Sequence, residues 1–155
     1  MDTQLVSLAR QIALKHGLDD ALICGLCEQE SGWNPNATRY EPAFYQRYIV
    51  PLIASQQLSD GEAKGRATSW GALQVMGQVA REHGFAGPFQ QLLDPQTGID
   101  MGCTVFASKL KAADGDTYTA LMHYNGGGND RYADQVTLKM AKYVQPAELN
   151  AQGDT

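Results

Sequence analysis

The chain is predicted to be a mainly α domain with an irregular insert, holding little or no β structure, after its second helix. Three observations point there. Apolar residues recur at helical spacing over successive stretches. Between Trp33 and Gly77 that pattern is broken by Pro35, Pro42, Pro51, Gly61, Gly65 and Gly71. A chain of 155 residues, 43% hydrophobic and 19% charged, can bury one core of ordinary size and gives no sign of a second. The expected organisation is one domain over 1–145 and a polar tail over 146–155.

The elements follow in order. Over 3–16, Leu5, Leu8, Ala9 and Ile12 share one face, and Gly17 can end the helix as a C-terminal cap. Asp19 or Asp20 then caps a second helix that carries Glu28 and Glu30. Within the insert a short helix is expected near 42–53, and Asp60 and Glu62 fall in a Gly-rich polar stretch read as solvated. After Pro95, Ile99, Cys103, Phe106 and Leu110 repeat helically until Gly115. Asp116 or Thr117 starts a helix that ends at Tyr124, before Asn125-Gly126-Gly127-Gly128. The last helix, about 130–144, places Tyr132, Val136, Met140 and Val144 in one stripe before Pro146.

Composition excludes several functions. No run approaches the roughly 20 apolar residues of a membrane span, and Met1-Asp2-Thr3-Gln4 lacks the basic and apolar regions of a leader, so synthesis in the cytosol without a signal peptide is expected. A net charge of −5 without a basic stripe argues against nucleic acid, and an anionic polymer would have to be held by local contacts. Cys24, Cys27 and Cys103 are too few for a disulfide framework and read as buried thiols. His16, His83 and His123 show no ligand spacing, so no metal or cofactor is expected.

Glu30 is the most informative residue. Ile23, Leu26, Cys27 and Glu30 fall at i, i+3, i+4 and i+7, so this carboxyl shares the face its helix buries. There it must find a partner or keep its proton to higher pH, and the second outcome suits a general acid. Pro35 forbids helix continuation and holds Asn34 extended, so the chain turns away and leaves one side of Glu30 open. Hydrolytic glycosidases use two carboxylates. Glu28 lies about 200° around the helix and cannot face the same ligand. Glu41, held extended by Pro42, is either the second carboxylate or a structural partner of Arg39.

Four segments carry a family resemblance. Glu28-Gln29-Glu30-Ser31-Gly32-Trp33-Asn34-Pro35-Asn36-Ala37 resembles the glutamate-serine motif of family 1 lytic transglycosylases, the soluble-lytic-transglycosylase-like branch of the lysozyme superfamily. Ser69-Trp70-Gly71-Ala72-Leu73-Gln74-Val75-Met76 is similar to the family's glycine-leucine-methionine-glutamine segment, with Ala72 and Leu73 where leucine and methionine are commoner. Leu92-Leu93-Asp94-Pro95 with Gly98-Ile99-Asp100-Met101-Gly102 resembles the third segment, and Ala120-Leu121-Met122-His123-Tyr124-Asn125-Gly126-Gly127 the tyrosine-asparagine-glycine segment. Their shared order over about 20–130 is more specific than any one of them.

The resemblance implies a lysozyme-like helical fold and cleavage of the β-1,4 bond between N-acetylmuramic acid and N-acetylglucosamine in peptidoglycan. The expected route is non-hydrolytic and leaves 1,6-anhydro-muramoyl ends; a hydrolytic muramidase or a non-catalytic wall-binding or virion module are the alternatives. Glu30 is the expected catalytic residue, and Ser31, Glu41, Ser69, Gln74, Met76, Tyr124 and Asn125 the expected substrate contacts. Ser31 can bond the local backbone or Glu30. Gly71 permits close backbone approach to a ligand, Gln74 offers a donor and an acceptor to an N-acetyl group, and Trp70 and Met76 can wall the groove. Tyr124 either points its hydroxyl into the cleft or is a core ring with that hydroxyl satisfied. The expected setting is a monomeric phage or bacterial lysis protein acting on the cell wall.

Overall fold

A computed structural model describes residues 2–146, and the remainder of the expected tail, 147–155, lies outside the described residues. Helix α1 (Thr3–Lys15) begins at Asp2, whose carboxylate accepts from the Gln4 and Leu5 amides. It ends as expected, with Gly17 at φ +67° and the Leu18 amide donating back to Ala13. Asp19 is the residue that caps α2 (Asp20–Ser31), and Ala21 to Cys27 of that helix are all buried. Helix α2 packs against α1 and against the last helix, α9 (Tyr132–Met140). The approach to α9 is closest at Gly25, where an added Cβ would lie 2.8 Å from the Met140 amide nitrogen. Helix α7 (Pro95–Ala112) buries Ile99, Cys103 and Phe106 as its periodicity predicts, and it joins α8 (Thr117–Asn125) to the bundle.

The insert is more ordered than the sequence suggests. Its expected helix is present as α3 (Pro42–Phe44), one π turn (Tyr45–Ile49) and α4 (Val50–Gln56), with Pro51 falling just after the π turn. Helices α5 (Asp60–Arg66) and α6 (Gly77–Glu82) and a 3₁₀ turn (Phe89–Leu93) are too short to show a helical periodicity. Three short strands, β1 (Thr38–Tyr40), β2 (Thr68–Trp70) and β3 (Val75–Met76), form an antiparallel sheet in chain order. Ile49, Ala63 and Ala67 make a small separate core under the insert, while the main core is built from the helices.

Glu62 corrects the expectation of a solvated stretch. Arg81 donates to both its oxygens at 2.8 and 3.0 Å, and Arg66 donates at 2.9 Å. These bonds tie α5 to α6. Asp60, on the same helix, is exposed and pairs with Lys64.

Candidate active site

A cleft of about 660 Å³ opens between the insert and the helical bundle. The insert supplies one wall, in part through one rung of its sheet. Arg39 pairs with Ser69 and Ser69 with Met76, so directly opposed residues share a face, and all three line the cleft. Phe44 and Tyr48 extend that wall. The bundle contributes Glu30 from α2, Val105 and Lys109 from α7, His123, Tyr124 and Asn125 from α8, and Tyr132 from α9. Trp70 is a correction: one residue along from Ser69, it faces the other way. Its ring stacks on Phe89 at 5.7 Å and its indole N–H donates to the Gly65 carbonyl at 3.0 Å.

Glu30 sits where α2 stops. The Gly32 amide donates to Glu28 and the Trp33 amide to Cys27, a left-handed close that turns the chain away past the carboxyl. Burial holds the Glu30 carboxyl above the usual carboxylate range, while the Tyr132 hydrogen bond and the charge of Arg39 pull it down without overcoming that effect. The Tyr132 hydroxyl donates to Glu30 Oε1. Tyr132 keeps its own proton, because burial and the neighbouring carboxylate push its pKa far up. Sequence reading placed Tyr132 in a core stripe. The overlooked signal is the hydroxyl itself, which needs a partner when the ring is buried.

The remaining carboxylates separate as the helical geometry requires. Glu28 faces elsewhere and accepts from Lys142 Nζ at 2.5 Å and from the Tyr143 hydroxyl at 2.6 Å. Burial works to raise its pKa, but these partners outweigh it and lower the net value. Glu41 does line the cleft with Glu30, and it is ion-paired to Arg39, itself largely exposed.

The other expected contact residues divide into two groups. Ser69, Met76 and Asn125 line the cleft, with Asn125 also donating to the Gly127 carbonyl at 3.1 Å. Ser31 does not line it: its hydroxyl is shared between the Ala72 carbonyl at 2.8 Å and the Cys27 carbonyl at 3.2 Å, which fastens the end of α2 to the β2–β3 connection. Gln74 lines the cleft at φ +48°, yet its amide N–H₂ is engaged by the Ala37 carbonyl at 3.0 Å and the Gly71 carbonyl at 2.9 Å. Those bonds offset the cost of a left-handed backbone at a non-glycine residue. Tyr124 lines the cleft as a part-buried ring whose hydroxyl is satisfied, donating to the Leu73 carbonyl at 2.7 Å. Gly71, expected beside a ligand, instead meets protein: at φ +75° any Cβ there would collide with the Leu92 carbonyl.

Cys24, Cys27 and Cys103 are buried free thiols, and desolvation pushes Cys24 up to about 11 and Cys103 up to about 12. Such thiols are poor nucleophiles. Among the described residues no cluster of three or more His, Cys, Asp or Glu could hold a metal ion. No described helix is long and apolar enough to cross a membrane.

Comparison with known proteins gives a consistent result. Three relatives all carry the name membrane-bound lytic murein transglycosylase C. That of Mannheimia succiniciproducens is 31% identical over 97 residues, covering 63% of this chain and 22% of the relative. Those of Cronobacter sakazakii and Photorhabdus laumondii are 25% and 28% identical, covering 79% and 77% of this chain but 31% and 30% of theirs. The chain thus spans less than a third of the length of these relatives. No solved structure matches its sequence at a significant level. The transglycosylase SLT domain matches residues 7–143, which include every element lining the cleft. With that match across nearly all of its length, the chain belongs to the transglycosylase SLT domain family.

Proposed function

We propose that this chain cleaves the β-1,4 bond between N-acetylmuramic acid and N-acetylglucosamine in peptidoglycan by intramolecular transglycosylation, with Glu30 as both acid and base. The observation that carries the reading is a part-buried carboxyl, held above the usual range by desolvation, where the end of α2 lines the cleft. Protonated Glu30 donates to the glycosidic oxygen as the C1–O bond breaks. The substrate's own N-acetyl carbonyl steadies the cationic C1. Ionised Glu30 then takes the proton of the muramoyl C6 hydroxyl, whose oxygen closes on C1 to give the 1,6-anhydro ring. Positioned proton transfer of this kind is worth about 10²–10⁴ in rate. Tyr132 holds the carboxyl in place and stabilises its ionised form in the second half of the cycle. Ser69, Met76 and Asn125 contact the sugar, Tyr124 is a rigid part of the floor, and Ser31 and Gln74 support the backbone around Glu30.

One observation favours a second reading: Glu41 lines the same cleft, so a hydrolytic muramidase with Glu41 activating a water is the competing chemistry. Its pairing to Arg39 supports the single-carboxylate route. Digestion of purified walls decides between them. The transglycosylase yields muropeptides lighter by one water and the hydrolase yields reducing ends, and retained turnover in Glu30→Gln would refute both. The setting we propose is a bacterial or phage-encoded cell-wall lytic protein, acting as a monomer through one domain over 1–145.

A further inference from the structure

We propose that Lys109 is a specificity residue that reads a carboxylate carried by the glycan strand; this rests on the peptidoglycan reading above. The charges of the cleft are otherwise engaged. Glu30 accepts from Tyr132, and Arg39 and Glu41 pair with each other. Lys109 alone among the cleft's formal charges has an ammonium with neither an ion pair nor a hydrogen bond to the described residues. It is also half-buried, one turn beyond Val105 on the side of α7 that faces the cleft. Lys111, in the same last turn, is exposed, and either lysine complements the helix dipole there. The dipole therefore does not explain why one of the two is drawn into the cleft.

A lysine packed into the wall of a cleft without a counter-ion gains an ionic partner only when an anion arrives. The hydroxyl and acetamide groups of the glycan are neutral. Its ionisable group is the lactyl carboxyl of the muramoyl sugar, free on a bare strand and converted to an amide where a stem peptide is attached. Stem peptides then bring carboxylates of their own. Both sources present one chemistry to Lys109, and a flexible point charge tolerates the difference in position better than an arginine fork. Asn125 and His123 line the same cleft from α8 and add polar groups to it.

The test is binding to Glu30→Gln protein, which takes the strand without cutting it. Three probes are titrated: strands bearing stem peptides, strands stripped of peptide by an amidase, and an uncharged N-acetylglucosamine oligomer. Adding Lys109→Met is expected to weaken one or both carboxylated probes about tenfold and leave the neutral oligomer unchanged, with Lys109→Arg restoring most of the loss. Loss confined to the peptide-bearing strand assigns the stem carboxylate, and loss confined to the stripped strand assigns the lactyl group. Affinity of the Met variant unchanged for all three probes overturns the proposal, as does an equal loss that includes the neutral oligomer. If Glu30→Gln with Lys109 intact binds none of the probes, the peptidoglycan reading falls and this inference falls with it.

Discussion

The end of α2 and the α5–α6 junction each draw a helix-borne carboxylate partly out of water, with opposite outcomes. At the junction, the hydrogen bonds of Arg81 and then of Arg66 hold Glu62 down to about 2 against the effect of burial. At the end of α2, the direct partner of Glu30 is a neutral tyrosine, and burial wins. Arg39, whose charge does reach Glu30, is ion-paired to Glu41. The difference is one of cation placement. Arginines fix the insert, where the carboxylate only has to hold two helices together, and are kept from direct contact where a proton has to move.

The sharpest way to break this contrast is to remove the charge at the junction. Glu62→Gln leaves Arg66 and Arg81 partly buried without their anion, and is expected to destabilise the protein by about 2–3 kcal/mol, read as a lower denaturation midpoint. The same carboxylate gives stability a definite pH dependence. Its folded pKa lies below the ordinary value, so its contribution is complete above about pH 4.5 and is lost as pH falls toward about 2. Acid titration of Glu62→Gln should therefore lack the part of the wild-type transition that lies in this window.

At the cleft, Tyr132→Phe removes the bond that favours ionised Glu30. About a tenfold loss of rate is expected, and the high-pH limb of the pH–rate profile should move up because the acid keeps its proton longer. A limb that moves down would show that Tyr132 does not stabilise the carboxylate. The raised pKa of Glu30 also has a stability consequence. The folded state binds this proton more tightly than the unfolded chain, so stability falls as pH rises from the ordinary carboxylate value through the raised one. Glu30→Gln should accordingly stabilise the fold at neutral pH by about 0.5–2 kcal/mol, the usual gain from relaxing a functional site, and the gain should vanish in acid. A melting series over pH checks it.

The smallest expected effect belongs to Glu41→Gln. Freed of its counter-ion, Arg39 would act more strongly on Glu30 and shift the high-pH limb slightly down, with the rate at the optimum nearly intact. A hundredfold loss of rate instead would identify Glu41 as the second catalytic carboxylate.

What the sequence by itself determined is what depends on local periodicity and local caps. The five long helices, the helical stretch beginning at Pro42, the buried cysteines and the delivery of Glu30 rather than Glu28 to the cleft all follow from spacing along one helix. Only the tertiary structure decided what depends on who meets whom across the chain. Tyr132 reaches Glu30 over 102 positions and Arg81 reaches Glu62 over 19, while Gln74, Ser31 and Gly71, locally plausible as ligand contacts, are claimed by carbonyls of distant segments. A hydroxyl or amide advertises its need for a partner in the sequence but not the partner itself, because that choice is fixed by packing of elements far apart in the chain.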